Sequence, residues 1–206
     1  MQRTNISTLD GGSVVLYNNI TQTNPRSETM AAANFTKHAI IDAFKTLVRS
    51  DGFDIVTVEQ IAAKATVNRQ TFYYHFADKY DLVNHIFYTA LFVPFAETLD
   101  KGSVQQAFEQ LFETLEQDRK FFRKIFDSKA RENFANYFNA LARNLLTQLS
   151  EDKIKETDIT ADFFANGLTG VVTSWCVDSR DISPQTMAQH ACRFAKMFLQ
   201  TTTFQT

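Results

Sequence analysis

The chain has 206 residues, with 21 basic and 23 acidic side chains for a formal net charge of −2, and only 3 prolines and 6 glycines. A chain of this length buries one sizeable core or two small ones, and so few turn-forming residues favour long helices. The near-neutral charge excludes a general polyanion-binding surface, so any nucleic-acid contact has to come from a local patch.

No run reaches the roughly 18 apolar residues of a membrane span, and the N-terminus lacks the charged-then-apolar plan of a secretory signal. The expectation is a cytoplasmic protein with no membrane partner. Cys176 and Cys192 lie in separate apolar patterns, without a CxxC pair and with no histidine at metal spacing. They read as buried thiols, which leaves no predicted metal or cofactor.

Residues 1–33 are rich in Asn, Thr, Ser and Gln without helical period, and read as a disordered N-terminal arm. Phe35, Ala39, Ile40, Ala43, Phe44, Leu47 and Val48 then repeat at three and four, which predicts a helix over 35–50 closed by Asp51-Gly52. Thr57 followed by Gln60 has the spacing of a capping box. Val58, Ile61, Ala62 and Ala65 share one face of the helix it opens, and Ala65-Thr66-Val67 interrupts the pattern. Asn68 caps a second short helix through His75, in which Phe72 and Phe76 meet on a buried face. Two short helices across a tight turn match the helix-turn-helix, whose second helix enters the major groove. The side chains suit a groove-reading helix, since Arg69 can read guanine, Gln70 and Asn68 adenine, and the Thr71 methyl thymine, while tyrosine and histidine donate to phosphates.

The stretch IAAKATVNRQTFYYHFADKYDLV resembles the signature of the TetR family of bacterial transcription regulators. Ile61, Ala62, Ala65, Val67, Thr71, Tyr73, His75, Phe76, Lys79 and Leu82 all fall on it in register. The resemblance implies an all-α fold: an N-terminal three-helix helix-turn-helix DNA-binding domain over 34–80, then a larger C-terminal helical domain over 81–206 for effector binding and dimerisation. It also implies a regulator rather than an enzyme. By carry-over, Tyr73, His75 and Lys79 contact phosphates, with Thr57 at the start of the first helix. Asn68, Arg69, Gln70, Thr71 and Tyr74 face base edges or their margins. One position departs from the signature: Thr66 stands where the family has a turn glycine, and a β-branched residue is disfavoured in a left-handed conformation.

Asp78 opens the next helix, with Asp81 in its first turn, and Tyr80, Leu82, Val83, Ile86, Phe87, Leu91 and Phe92 carry it to Pro94, which is expected to kink or end it. From Ser103 the pattern is helical to the end, with apolar stripes at 104–115, 121–126 and 134–146, and the third broken by the charged run at 150–156. Residues 158–179 are the least polar stretch and contain Gly167 and Gly170, while Ser183-Pro184 opens a last helix. Both of these helices are apolar on more than one face and must bury both. The resemblance implies a four-helix dimer interface here, for which Gly167, Val171, Met187, Ala191, Phe194 and Phe198 are the candidates.

No Gly-rich phosphate loop, HExxH or GxSxG motif is present, and the four histidines are scattered, so no catalytic residues are assigned. The Phe-rich core can enclose an effector, with Phe122, Phe126, Phe138, Asn166, Thr169 and Trp175 as candidate pocket residues. The predicted function is a homodimeric, ligand-responsive repressor on a pseudo-palindromic double-stranded DNA operator. An alternative comes from residues 70–83 and Gly167–Trp175, which are similar to a TetR branch that includes a dihydroxyacetone kinase operon activator. In that reading the chain is a co-activator whose C-terminal domain binds a protein partner instead of a small molecule.

Overall fold

The computed structural model describes residues 26–149, 159–178 and 181–201, all helical or in short connections. Among the described residues, ten α-helices follow in order: α1 Arg26–Asp51, α2 Val58–Lys64, α3 Arg69–His75, α4 Lys79–Phe87, α5 Val93–Asp100, α6 Val104–Gln117, α7 Arg119–Phe126, α8 Ala130–Leu149, α9 Ile159–Val177 and α10 Pro184–Thr201. Among the described residues, 36–149, 159–178 and 181–201 fall in one compact unit. The helix expected from Phe35 begins at Arg26. The first 25 residues of the expected arm, and the charged run at 150–156, lie outside the described residues.

Local chemistry accounts for the helix starts. Thr57 forms the full capping box: its N–H donates to Gln60 Oε1 at 2.8 Å, and its Oγ1 accepts from the Gln60 N–H at 3.3 Å. Asn68, Asp78 and Ser103 each accept backbone N–H bonds at the starts of α3, α4 and α6. Such caps are each worth about 1 kcal/mol.

Helix α2 ends in a Schellman turn, with Val67 N–H bonded to Ala62 O and Thr66 N–H to Ala63 O. Thr66 occupies the left-handed position at φ 58°, so the turn keeps its glycine geometry with a β-branched residue in it.

Pro94 neither ends nor breaks the helix that the sequence pattern has it interrupt, because α4 and α5 join into a continuous 22-residue helix, Lys79–Asp100. The intervening residues Tyr88–Phe92 form a π-helical turn, in which Val93 N–H reaches back five residues to Tyr88 O. This wider turn lies directly ahead of the residue that lacks an N–H, and takes up the irregularity that a proline imposes on the ladder. By length and composition alone this helix could cross a membrane. Its Leu82, Val83, Ile86, Phe87 and Leu91 are instead buried in the protein core.

The core runs unbroken from the helix-turn-helix into the C-terminal helices. Ile40, Phe44, Val48, Phe53, Ile61, Phe72 and Phe76 pack inside the first three helices, and the stripes of α6, α7 and α8 continue the same cluster. Phe87 lies at the join, with ring centroids 4.2 Å from Phe134, 5.5 Å from Phe122 and 5.7 Å from Phe126. A second joint links α1 to α7. Arg49 grips Asp118 through Nε at 2.8 Å and Nη2 at 2.6 Å, Lys45 adds a contact at 3.3 Å, and Phe44 meets Phe121 edge to face.

Replacing Thr66 by glycine removes the left-handed penalty and adds glycine's backbone entropy, for a net gain of roughly 0.5–1 kcal/mol. A denaturant midpoint that rises at unchanged m value is the expected result. A midpoint that falls would show that Thr66 is not strained.

Candidate nucleic-acid interface

Helix α3 is a seven-residue recognition element held at both ends. Phe72 and Phe76 bury its inner face, with ring centroids 5.9 Å apart, and Gln70, Tyr73 and Tyr74 stand outward, Tyr74 at 80% exposure. Asn68 and Thr71 are turned to local structure, since Asn68 Oδ1 accepts from both Thr71 N–H (2.7 Å) and Thr71 Oγ1 (2.9 Å). Thr57 is likewise engaged in its capping box, although it remains exposed. Asn68 and Thr71, expected at base edges, thus also start the helix, with Asn68 exposed and Thr71 half-buried.

Arg69 is oriented from two sides. Its Nη1 donates to Glu59 Oε1 on α2 at 2.6 Å, and its Nη2 to the Tyr73 hydroxyl at 3.2 Å. An exposed pair of this kind adds little to stability, but it places the guanidinium beside the outward face. Glu59 is invisible to sequence patterning, because it lies ten residues from Arg69 across a turn where helical spacing has no meaning.

His75 is half-buried, and its pKa is lowered first by burial and then by the charge of Lys37, so the imidazole is neutral at pH 7 and carries one N–H donor.

Lys79, which the family signature puts on phosphates, is half-buried here: its ammonium donates to the backbone carbonyls of Phe53 (2.9 Å), Val56 (3.0 Å) and Asp54 (3.3 Å), and lies 4.3 Å from the Phe53 ring centroid. It therefore ties the α1–α2 connection to the start of α4.

An apolar cavity lies in the C-terminal bundle, with walls other than the candidate pocket residues. It encloses about 70 Å³ between α4–α5, α6, α8, α9 and α10, and every lining residue is apolar. Leu91, Phe92, Phe95 and Leu99 come from the π turn and α5, Val104, Phe108 and Leu111 from α6, Phe138, Ala142 and Leu145 from α8, Phe164 and Leu168 from α9, and Ala195 from α10. Of the predicted pocket residues only Phe138 lines it. Phe122 and Phe126 are fully buried in the aromatic core, and Thr169 is buried with its hydroxyl bonded to Ala165 O. Asn166 and Trp175 border a separate shallow groove on the outer side of α9. Helical periodicity places all these residues inward, but which inward residues border empty space depends on how neighbouring helices fill it.

The outer face of α9 and α10 carries exposed apolar side chains: Phe163 (81%), Phe194 (61%), Met197 (54%) and Val171 (46%). Gly167 and Gly170 lie among them, and a Cβ added at either meets no atom within 4 Å. Met187 and Ala191, also expected at the dimer interface, are buried within the protomer core. The Phe198 side chain lies outside the described residues.

A capped two-helix unit with an outward polar-aromatic recognition helix, on an all-helical body, defines a helix-turn-helix DNA-binding regulator. Residues 31–86 match the bacterial regulatory proteins of the tetR family, and residues 102–197 match a transcriptional regulator C-terminal region of that family. The chain belongs to the TetR family of transcriptional regulators, which bind DNA as dimers and are not enzymes. It is 29% identical over 133 residues to the HTH-type dhaKLM operon transcriptional activator DhaS of Lactococcus lactis, covering 63% of this chain and 68% of that protein. Among solved structures, its fold is similar to the dihydroxyacetone kinase operon activator DhaS, at TM-score 0.56 and 24% identity over 82% of this chain and 96% of that one. It is also similar to a TetR transcriptional regulator from Streptococcus agalactiae, at TM-score 0.59 and 18% identity over 82% and 98% of the two chains.

Lys79→Ala strips the donor from three carbonyls, and is expected to destabilise the fold by about 1–3 kcal/mol while leaving the salt dependence of DNA binding as it was. A shallower salt slope at unchanged stability would restore the phosphate role. His85 supplies a pH test. Its pKa is pushed down to about 4 by burial first, then by the charges of Lys37 and His38. A histidine lowered in the folded state binds fewer protons there than when unfolded. The stability it supports is complete above about pH 6.5, the unfolded value, and drains as pH falls toward 4. The wild-type melting temperature should fall over that window, and the fall should be smaller in His85→Leu. Equal falls would rule His85 out as the titrating group.

Proposed function

We propose that this protein is a homodimeric repressor that reads a pseudo-palindromic operator through α3 and is released by an apolar small molecule held beside the π turn. Gln70, Tyr73 and Tyr74, exposed on a helix pinned by its caps and its buried phenylalanines, carry the DNA reading. Gln70 has the amide geometry for adenine, and Arg69, already oriented by Glu59, has the fork for guanine. The exposed apolar stripe from Phe163 to Met197 supports pairing of α9 and α10 with those of a second copy, in which Phe163, Val171 and Phe194 are withdrawn from water. A symmetric pair then presents two copies of α3 to half-sites about 34 Å apart or a multiple of that.

The cavity supports a small-molecule effector over a protein partner, because a void walled only by apolar atoms favours a neutral, hydrocarbon-like guest and penalises any buried polar group. Four of its walls come from the π turn and α5, so a guest that prefers one arrangement of that segment biases the tilt of α4 and thus the spacing of the two recognition helices. A coupling of about 1–3 kcal/mol corresponds to roughly 5- to 150-fold in DNA affinity. The similarity to DhaS, which is an operon activator, favours activation as a second reading. Deleting the gene separates the two readings, since target expression rises for a repressor and falls for an activator.

DNA from the gene's own upstream region serves as the binding probe. The Gln70→Ala, Tyr74→Ala double variant should lose roughly 10- to 100-fold of the preference for that DNA over a scrambled duplex, at about 1–3 kcal/mol for each good base contact. Retained preference would remove α3 as the reader. Neutral medium-chain alcohols should raise the wild-type melting temperature and weaken DNA binding. A Leu168→Trp variant, with its cavity filled, should show neither response.

A further inference from the structure

The helix-turn-helix unit has an electrostatic deficit. Residues 31–86 hold six basic side chains (Lys37, Lys45, Arg49, Lys64, Arg69 and Lys79) and six acidic ones (Asp42, Asp51, Asp54, Glu59, Asp78 and Asp81), for a net charge of zero. Four of those six cations are already engaged within the chain. Lys45 and Arg49 hold Asp118, Arg69 holds Glu59, and Lys79 is bound to carbonyls. Duplex DNA is bound chiefly through neutralisation of its phosphates by lysine and arginine. A neutral unit with its cations so committed is poorly supplied for that.

The missing charge is next to it in space. Residues 119–131 carry six basic side chains (Arg119, Lys120, Arg123, Lys124, Lys129 and Arg131) against the single acid Asp127, a net of +5 within a chain whose total is −2. Phe121, Phe122, Ile125 and Phe126 are the buried face of α7, which leaves Lys120, Arg123 and Lys124 exposed on the other, with Lys129 and Arg131 exposed after it. Among the described residues no ion pair holds any of these five. The α7–α8 corner abuts the connection that leads into the helix-turn-helix. Lys129 N–H donates to Asp54 Oδ1 at 3.3 Å, and Lys124 Cδ lies 3.9 Å from where a Cβ on Gly52 would stand. The charge of Lys129 also acts on Lys79, the first residue of α4, four positions past the end of α3.

From this placement we propose that the α7–α8 corner is a second DNA-binding surface, on which Lys120, Lys124, Lys129 and Arg131 neutralise backbone phosphates beside the segment read by α3. The proposal rests on the reading of α3 as the DNA-reading helix. DNA continues past any recognition helix, with one phosphate per roughly 3.4 Å of each strand, and long basic side chains within a Debye length of about 8–10 Å attract it without reading sequence. In this division of labour α3 supplies specificity and the corner supplies affinity.

The test uses the full-length protein and fluorescence anisotropy, with the upstream duplex and a scrambled duplex, across a salt series. The Lys120→Gln, Lys124→Gln, Arg131→Gln triple variant changes surface residues alone, and its melting temperature checks that it folds. Its slope of log affinity against log salt should fall by about 2 to 3, at roughly 0.9 for each phosphate no longer neutralised, with the preference for the upstream duplex unchanged. Lys101→Gln, an exposed cation in the turn after α5, should leave the slope as it is. A triple variant with the wild-type slope would overturn the proposal and leave the reading of α3 intact. If instead the wild type bound both duplexes alike, the reading of α3 would fail, while the change in slope would still report on the corner.

Discussion

Helix α4 belongs to two structures at once, and this sharing constrains the whole protein. Its first residue, Lys79, is bonded to three carbonyls of the α1–α2 connection, and two turns later Phe87 is packed among Phe122, Phe126 and Phe134. Aromatic rings at these distances add specific edge and offset contacts to their burial. Both ends of the helix are therefore anchored, one to each part of the bundle. The α1–α7 joint, with Arg49 bidentate on Asp118 and Phe44 against Phe121, adds a second attachment that the covalent chain does not supply.

The π turn is where that coupled body is least regular. It lies between the anchored part of α4 and the proline of α5, and it contributes Leu91 and Phe92 to the cavity wall. π turns inside α-helices recur at functional sites, and here the irregular backbone, the proline and the void coincide. The same arrangement explains the lack of polar groups in the cavity: its lining comes from the stripes that hold the bundle together, so any guest meets core side chains.

The surface is divided by chemistry. Exposed apolar side chains gather on α9 and α10, polar and aromatic ones on α3, and basic ones outside any ion pair on α7 and the start of α8. A chain of net charge −2 carries a segment, 119–131, with six basic side chains against one acid, so its overall charge says little about which partner it attracts.

Much of this was legible in the residue order. The caps at Thr57, Asn68, Asp78 and Ser103 and the stripes of α6, α7 and α8 follow from spacings of three and four, because caps and amphipathic faces are local physics. The family signature placed α3 and its outward side chains for the same reason. Three features depended on the fold. Lys79 meets carbonyls of a connection more than twenty residues earlier, a contact that no local spacing announces. The cavity took Leu91, Phe95 and Phe108 for its walls rather than Phe122 and Phe126, since periodicity tells which residues face inward but not where facing helices fail to meet. Met187 and Ala191 went to the protomer core and Phe163 and Phe194 to the surface, because a helix apolar on two faces does not declare which face its own bundle will cover. The sequence by itself determined the helices, their caps and the identity of the reading helix, all set by neighbours within four residues. Which side chains were left exposed or bordering the cavity was decided by contacts between residues far apart in the chain, and only the tertiary structure brings those together.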